Sequence, residues 1–427
     1  MTPTRETFGN IPVWSQRCFY ALAVAAVAVF CWGVWRRFRL WRQGQPVPVR
    51  DLVRGSLSAI VAKLKPGAAR LLVEGLGQKR VRGRGLASGA HLALFAGFMM
   101  LLLGTTLLEV DHLAGMISEH LRFHRGDYYV AYEFVLDVFG LLFVAGCLFF
   151  LIRRFARPPS IGHRASDWWV LSAFLGIAVT GYAVEALRII WQKPVGIAAS
   201  CSPVGLALAS LLNGSSDGQA RSAHLWIWWI HSLLVFGFIA SIPFTRLLHF
   251  VAGPLNLFFA RATLGRLEPI TMEQVERDER VGVSELRHFT QQQLLSLDAC
   301  MECGRCEEAC PAFATAKPLS PKKVVQDLKG LMSAGFTGSV HETIQAETLW
   351  SCTACSACTL VCPVRVDPLT LILDLRRHLV ADGGLSGTAA VALRRMQSSA
   401  NPWGLPQADR ANWIEAVQEA PGKPGPN

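Results

Sequence analysis

Residues 298–311 read DACMECGRCEEACP, and residues 351–363 read SCTACSACTLVCP. Each run carries three cysteines separated by two residues, a fourth after three more, and a proline directly behind it: Cys300, Cys303, Cys306 and Cys310 before Pro311, then Cys352, Cys355, Cys358 and Cys362 before Pro363. Three thiolates at that spacing wrap three irons of a cubane, and the fourth, held beyond a short turn that proline fixes, points to the neighbouring cubane. The expected ligand sets are therefore crossed: Cys300, Cys303, Cys306 and Cys362 for one [4Fe-4S] cluster, and Cys352, Cys355, Cys358 and Cys310 for the other. Zinc ribbons need two separated pairs instead of four tightly spaced ligands. Two cubanes side by side can pass single electrons, and a purely structural role has no need of the duplicated arrangement. Lys317, Lys322 and Lys323 beside the first run read either as groups that tune the cluster or dock a partner, or as a solvated helix face.

The sequence ahead of these runs is of another kind. Of the 427 residues, 51% are hydrophobic, and they concentrate before residue 260. Five segments, near 18–35, 88–110, 129–152, 167–190 and 224–251, are apolar and long enough to cross a hydrocarbon core of about 30 Å as helices. The basic cluster RRFRLWR (36–42) follows the first span instead of preceding it, so that span reads as a retained anchor and not a cleaved signal. The stretch 36–86 carries thirteen Lys and Arg against Asp51 and Glu74, and RRFAR (153–157) follows the third span, whereas 111–127 holds only Arg122 and Arg125. The positive-inside rule then places both basic loops and the cysteine runs in the cytoplasm and the N-terminus in the periplasm, across a bacterial cytoplasmic (inner) membrane. Topology accounts for most of the net charge of +11, which is not read as nucleic-acid binding. Eight of the twelve cysteines thus lie on the reducing side, where metal ligation is a better default than disulfides. Cys18, Cys31 and Cys147 sit in apolar runs as small core residues, and Cys201 in an outer loop.

The expected fold class is all-α: a five-transmembrane-helix bundle followed by a small α-helical two-[4Fe-4S] domain. Its divisions are 1–45 (N-terminal periplasmic segment and first span), 46–86 (basic cytoplasmic loop), 87–255 (four further spans), 256–290 (linker), 291–385 (cluster domain) and 386–427 (tail). Helices are expected in LSPKKVVQDLKGLMSAG, entered through Ser320-Pro321, in HETIQAETLWSC, and in DPLTLILDLRRHLVADGG, which ends in a glycine pair.

Ionisable residues inside a bilayer are costly and are functional candidates by default. His231 and His249 are eighteen residues apart on the fifth span, five turns of one helix, which puts them on one side and about 27 Å apart. His91, at the cytoplasmic start of the second span, lies at about the depth of His249, and this pair is the expected bis-histidine site of a haem b. A second haem would pair His231 with His112, about 31 Å beyond His91 and some 60° around the helix. His112, His120, His124 and His224 otherwise read as polar residues at the water boundary. Glu133 and Asp137 on the third span are candidates for proton transfer to a quinone, whose reduction takes two protons with two electrons. Glu185 and Arg188, three apart on the fourth span, either join them or simply pair with each other.

The stretch IHSLLVFGFIASIPFTRLLHF (230–250), with histidines eighteen apart in a five-span unit, resembles the cytochrome b (gamma) subunit of respiratory nitrate reductase. Its fusion to LDACMECGRCEEACPA (297–312), PLSPKKVVQDLK (318–329) and LWSCTACSACTLVCPV (349–364) is similar to membrane-bound heterodisulfide-reductase-like iron-sulfur oxidoreductases, including electron-transfer-flavoprotein:menaquinone oxidoreductases. The resemblance covers roughly 85–410 and implies a haem b bundle joined to a bacterial-type two-[4Fe-4S] ferredoxin domain. By it, His91 and His249 match the ligands of the haem nearer the cytoplasm, and His231 matches one ligand of the outer haem. The family's other outer ligand falls ten residues after His91, where this chain has Leu101 beside Met100, so an outer haem is ligated otherwise, for instance by His112. Larger members continue past NPWGLPQADRANW (401–413) into cysteine-rich CCG domains, a function left here to a separate subunit or a longer parent chain. The implied activity is quinone-linked electron transfer with a cytoplasmic partner, either an electron-transfer flavoprotein or a CCG-domain protein. Quinone reduction is the favoured direction, the alternatives being quinol-dependent reduction of a disulfide and a redox-sensing or assembly anchor.

Overall fold

The computed structural model describes residues 7–46, 56–83, 85–157, 164–194, 196–212, 216–260 and 269–418. Its apolar half comprises α1 (Val13–Trp41), α2 (Leu57–Arg70), α3 (Leu86–Ile117), α4 (Gly126–Phe155), α5 (Ala165–Gln192), α6 (Pro203–Leu211), α7 (Asp217–Ser241) and α8 (His249–Phe259). The cysteine-bearing half contains α9 (Gln291–Ala299), α10 (Pro321–Ala334) and α11 (Pro368–Ala381), followed by α12 (Gly387–Ser399). Helices α1, α3, α4, α5 and α7, the last carried on to Phe244, are long and apolar enough to cross a membrane. These are the five expected spans, the first four longer at both ends and the fifth starting earlier but stopping short of its expected end. The described residues contain no β-strand, only an isolated bridge between Gln45 and Thr290.

Small residues let α3 and α4 touch. A Cβ on Gly97 would lie 2.6 Å from Phe143 Cβ and 2.7 Å from the Phe139 carbonyl, and one on Gly146 would lie 2.7 Å from Leu94 Cβ. Without a hydrophobic drive between helices in lipid, such close backbone approach is what holds a bundle together. An apolar centre of Phe143, Phe174, Phe238 and Leu247 fills the space between α4, α5 and α7.

The fifth span differs from the expected straight helix over 224–251. Helix α7 stops at Ser241, two 3-10 turns follow (Ile242–Phe244 and Arg246–Leu248), and α8 begins at His249. Pro243 is the physical reason, since it lacks an N–H and its ring excludes the carbonyl four residues back. The ring seats on α1 opposite Gly33, where a Cβ would meet Pro243 Cβ at 2.5 Å. His231 and His249 therefore belong to two helices, and the spacing of five uninterrupted turns does not apply.

The cysteine half is built on capped helices. Thr290 and Gln293 form a reciprocal capping box at the start of α9 (Gln293 N to Thr290 Oγ1 3.2 Å, Thr290 N to Gln293 Oε1 2.8 Å). Helix α10 starts as expected at Ser320-Pro321, with the Ser320 hydroxyl accepting the Lys323 N–H at 2.9 Å, and ends at Gly335 with φ +69°. HETIQAETLWSC is not one helix: a 3-10 turn (Val340–Glu342) and a short helix (Ala346–Trp350) flank Thr343 to Gln345, because Ile344 is pinned in the core. Leu294, Leu328, Met332, Ile372 and Leu375 form that core, and Trp41 of α1 with Leu248 and Ala252 of the α8 region belong to it too. Val283, Leu286 and Phe289 are buried in the same core, so the stretch expected as a linker over 256–290 joins the two halves into one packed unit at its C-terminal end.

Within the basic stretch 46–86, the described residues 56–83 also have structure. Helix α2 runs into a π-helical turn (Leu71–Leu76) that lies along α8, where Arg70 donates to the carbonyls of Leu257 and Phe258 at 2.8 Å each.

Candidate redox site

Both cysteine loops repeat one backbone pattern. In the first run Glu302 and Gly304 have φ of +55° and +81°, and in the second the equivalent Ala354 and Ser356 have +55° and +63°. Left-handed backbone at three non-glycine residues costs energy and persists where a site over-determines it. Here it curls each CxxCxxC segment before a short helix, Arg305–Glu308 or Ala357–Leu360. The thiols then gather across the runs. Cys306 lies within electrostatic reach of Cys300, Cys303, Cys362 and Cys358, Cys362 faces Cys303 and Cys300, and Cys358 faces Cys352 and Cys310. Cys355, in the outermost turn of the second loop, is exposed.

Burial, reinforced by neighbouring thiols, pushes Cys362 up to about 12 and Cys306 well above its ordinary value. Burial likewise pushes Cys358 up to about 11. Grouped thiols of this kind become thiolates only against a concentrated positive charge, which is what iron supplies. Backbone N–H groups already point at two of the sulfurs, Ala354 N at Cys352 Sγ (3.4 Å) and Val366 N at Cys362 Sγ (3.3 Å). Hydrogen bonds to sulfur are one of the means by which a protein sets a cluster's potential. Among the described residues no three His, Cys, Asp or Glu side chains close on one point as the ligands of a single ion do. A cubane instead spreads its ligands over four irons. The donor set fits [4Fe-4S] clusters.

A cavity of about 1510 Å³ runs through the bundle and is lined by His91, His231 and His249 and also by Cys300, Cys303, Cys306, Cys358 and Cys362. The His249 Nδ1–H donates to the Arg246 carbonyl at 2.7 Å, which leaves the Nε2 lone pair uncommitted. The Thr180 hydroxyl donates its one proton to the Gly176 carbonyl (2.6 Å) and so accepts from His231 Nδ1 (3.0 Å), again leaving Nε2 as the basic nitrogen. The His91 ring lies parallel to Phe95, and its Nδ1 is buried with no hydrogen-bond partner. Orienting one imidazole nitrogen by a protein acceptor while the other stays basic is how metal-binding histidines are held. His231 and His249 meet that condition, and His91, buried without a partner on Nδ1, lines the same cavity; the three fit axial ligands of a haem.

His112 is not brought to the cavity. It packs against Phe8, ring centroids 4.9 Å apart, at the end of α3 far from the cysteines, so the structure does not join it to His231. His224, seven residues before His231, does line the cavity, buried beside Trp191. It is expected at the water boundary, and its two-turn spacing from His231 along α7 is the sequence signal that it shares that face. His124 is buried 3.4 Å from Asp111, whose carboxylate also accepts the Phe123 and His124 amides, and His120 is exposed.

Glu133 and Asp137 line the same cavity but are already engaged. Glu133 pairs with Arg188 at 3.0 Å and accepts from Ser202 at 3.1 Å, while Arg188 also pairs with Glu185, as their spacing allowed. Asp137 accepts the amides of Val204 (2.8 Å) and Gly205 (3.3 Å) in the first turn of α6. Of the lysines, Lys322 is paired with Glu307 and Lys323 with Asp327, while Lys317 is exposed.

Polar clamps join the halves, and sequence spacing marks none of the following ones. Arg365 meets Glu74 of the π-helical turn in a bidentate pair (2.6 and 2.7 Å), and Arg80 joins the same carboxylate at 3.0 Å. Trp41 Nε1 donates to the buried Asp298 at 2.8 Å. Arg246 pairs with Glu302, between Cys300 and Cys303, at 3.1 Å.

Comparison with known proteins accords with this geometry. Residues 88–267 match the nitrate reductase gamma subunit family and residues 296–366 the 4Fe-4S dicluster domain family. The EtfAB:quinone oxidoreductase of Syntrophomonas wolfei is 30% identical over 97% of this chain and 61% of its own length. The probable iron-sulfur-binding oxidoreductase FadF of Bacillus subtilis is 28% identical, over 81% and 54%. A probable membrane-anchored ferredoxin of Chromohalobacter salexigens is 31% identical, over 92% and 57%. The chain thus spans between about half and three fifths of the length of these relatives. No solved structure matches it. The chain thus carries a nitrate reductase gamma-like domain followed by a 4Fe-4S dicluster domain, and over most of its length it is similar to iron-sulfur oxidoreductases.

Proposed function

We propose that this chain is a membrane electron-transfer subunit working between a soluble redox partner and the quinone pool, in the direction of quinone reduction. [4Fe-4S] clusters and haem b supply one-electron carriers when bound. Cys300, Cys303, Cys306 and Cys362 hold one cluster, Cys352, Cys355, Cys358 and Cys310 the second. His91 and His249 hold the haem nearer the clusters, and His231 is the protein ligand available to another. Glu133 and Asp137 are assigned to proton delivery, each releasing its present partner to do so. The observation that carries the reading is the single cavity lined both by cluster cysteines and by three histidines. The partner is an electron-transfer flavoprotein or a CCG-domain protein, a reading supported by the quinone-linked and flavoprotein-linked name of the Syntrophomonas relative. With the cluster domain and the basic residues of α2 on one side, the positive-inside rule favours a cytoplasmic cluster domain and a periplasmic N-terminus in the inner membrane.

Reduced-minus-oxidised spectra of purified membranes test this. Haem b bands and interacting iron-sulfur signals that both respond to added quinol are expected, and absence of haem, or clusters indifferent to quinol, would refute it. His249→Ala should lose the haem nearer the clusters, and unchanged haem content in that variant would overturn the ligand assignment.

A further inference from the structure

Arg246 occupies an unusual position. Its backbone carbonyl takes the His249 Nδ1–H at 2.7 Å, and its guanidinium hydrogen-bonds Glu302 Oε2 at 3.1 Å and forms an ion pair with Asp167 Oδ1 at 3.0 Å. Glu302 is held in left-handed backbone between Cys300 and Cys303, and its other oxygen meets Arg164. Asp167 in turn takes Arg154 at 2.9 Å. Arg154, Asp167, Arg246 and Glu302 all line the cavity that His249 and Cys303 share. The Arg246 side chain is 12% exposed, and those of Glu302 and Asp167 are 11% and 5% exposed, so solvent screens these charges weakly.

From this geometry we propose that Arg246 is a positioning residue coupling the histidine-held centre to the first cysteine loop. It does so in two ways. Its carbonyl fixes the tautomer and plane of the His249 ring, and its side chain fixes Glu302 and with it the turn between Cys300 and Cys303. Because the Arg246 and Glu302 charges adjoin residues that would hold the two centres, they would also set how readily each takes an electron. A positive charge nearby favours the reduced form and a negative charge disfavours it. The inference rests on the proposed ligand roles of His249, Cys300 and Cys303.

The test is a potentiometric titration of the detergent-purified, cofactor-loaded chain, following haem absorbance and cluster electron paramagnetic resonance. Arg246→Gln should lower the midpoint potentials of both centres. At the wild-type midpoint the ratio of reduced to oxidised haem should fall about tenfold, or 59 mV for one electron. Glu302→Gln, which leaves Arg246 in place, should move the first cluster in the opposite direction, upward. Arg246→Lys should restore the potentials while broadening the cluster signal, since a lysine keeps the charge but cannot bridge two carboxylates in a plane. A merely structural role predicts loss of both centres, with no opposite shifts. Unmoved potentials in both Gln variants, or shifts of one sign, overturn the proposal. If Arg246→Gln does not assemble, Glu302→Gln alone decides it by the sign of its shift. Loss of haem in His249→Ala together with unmoved potentials in both Gln variants refutes this inference only. Retained haem in His249→Ala refutes the ligand reading beneath it.

Discussion

The Glu74 clamp makes a strong demand on the structure. Glu74→Gln removes the one carboxylate that faces both Arg365 and Arg80, whose side chains are 13% and 20% exposed against 11% for Glu74 itself. Removing one partner of a buried ion pair costs about 3–5 kcal/mol, because the other charge is left uncompensated. Arg80 keeps contacts to the Leu360 and Cys362 carbonyls at 3.0 and 3.3 Å, and glutamine retains one acceptor, so the lower end, about 3 kcal/mol, applies. At about 1.4 kcal/mol per decade this is a factor of roughly 100 in the ratio of docked to undocked π-helical turn. Hydrogen exchange read by mass spectrometry should therefore speed up about a hundredfold in residues 70–83 and 360–366, and much less in α9 or α10. The pH dependence has a definite sign. Burial raises the Glu74 carboxyl, but the pairs with Arg365 and Arg80 outweigh it and hold the pKa below its ordinary value. A depressed folded pKa means that the contribution is complete above the ordinary carboxylate range and disappears as pH falls through the lower, folded value. Wild type should loosen only in that acid window, while the variant is loose above it too. Exchange in Glu74→Gln within threefold of wild type at neutral pH would refute the clamp.

Under the proposed crossed ligation, Cys362→Ala, a change in the second run, should remove the cluster of the first run and leave the other. Iron content should fall by about half, and loss of the second run's own signal instead would overturn the crossed sets. Gly97→Leu puts a side chain where a Cβ alone meets Phe143 Cβ at 2.6 Å. Overpacking of about 1–3 kcal/mol should lower the melting temperature of the bundle in detergent, and an unchanged melt would mean that α3 and α4 do not touch there. Ser356→Val forces a β-branched residue into φ +63°, at about 1–3 kcal/mol, and should lower cluster retention on gel filtration, whereas Ser356→Gly should not.

The parts legible in the sequence are those written in local spacing. Cysteine runs with proline behind them, apolar stretches of membrane length, and Ser320-Pro321 at a helix start all depend on residues within a few positions of one another, and the structure presents each of them where expected. Pro243 stands in plain view, but the apolar run on both sides of it reads as one span, so sequence spacing alone sets His231 and His249 on one rod. His224 and His112 look alike in sequence, and which of them reaches the cavity depends on how α7 and α3 rotate about their axes in the bundle. The clamps were invisible for a simpler reason: Glu74 and Arg365 are 291 positions apart, and nothing local marks either as the other's partner.

Those clamps explain why two halves of such different chemistry keep one geometry. An apolar interface between bundle and cysteine domain is present, with Trp41, Leu248 and Ala252 in the shared core, but apolar contacts are non-directional and tolerate sliding. Electron transfer between fixed centres does not tolerate it. The polar contacts supply direction: Arg365 to Glu74, Arg246 to Glu302, and Trp41 to Asp298 each join an element of the membrane half to a residue within four positions of a cluster cysteine. Buried ion pairs contribute little net stability, since desolvation offsets much of their attraction, but a misplaced partner leaves a charge unpaired at about 3–5 kcal/mol. Their effect is thus to penalise every register but one. Two such penalties, beside Cys300 and Cys303 and beside Cys362, with the directional Trp41–Asp298 hydrogen bond added, hold the cysteine loops against the histidine-bearing end of the bundle more tightly than hydrophobic area alone could do.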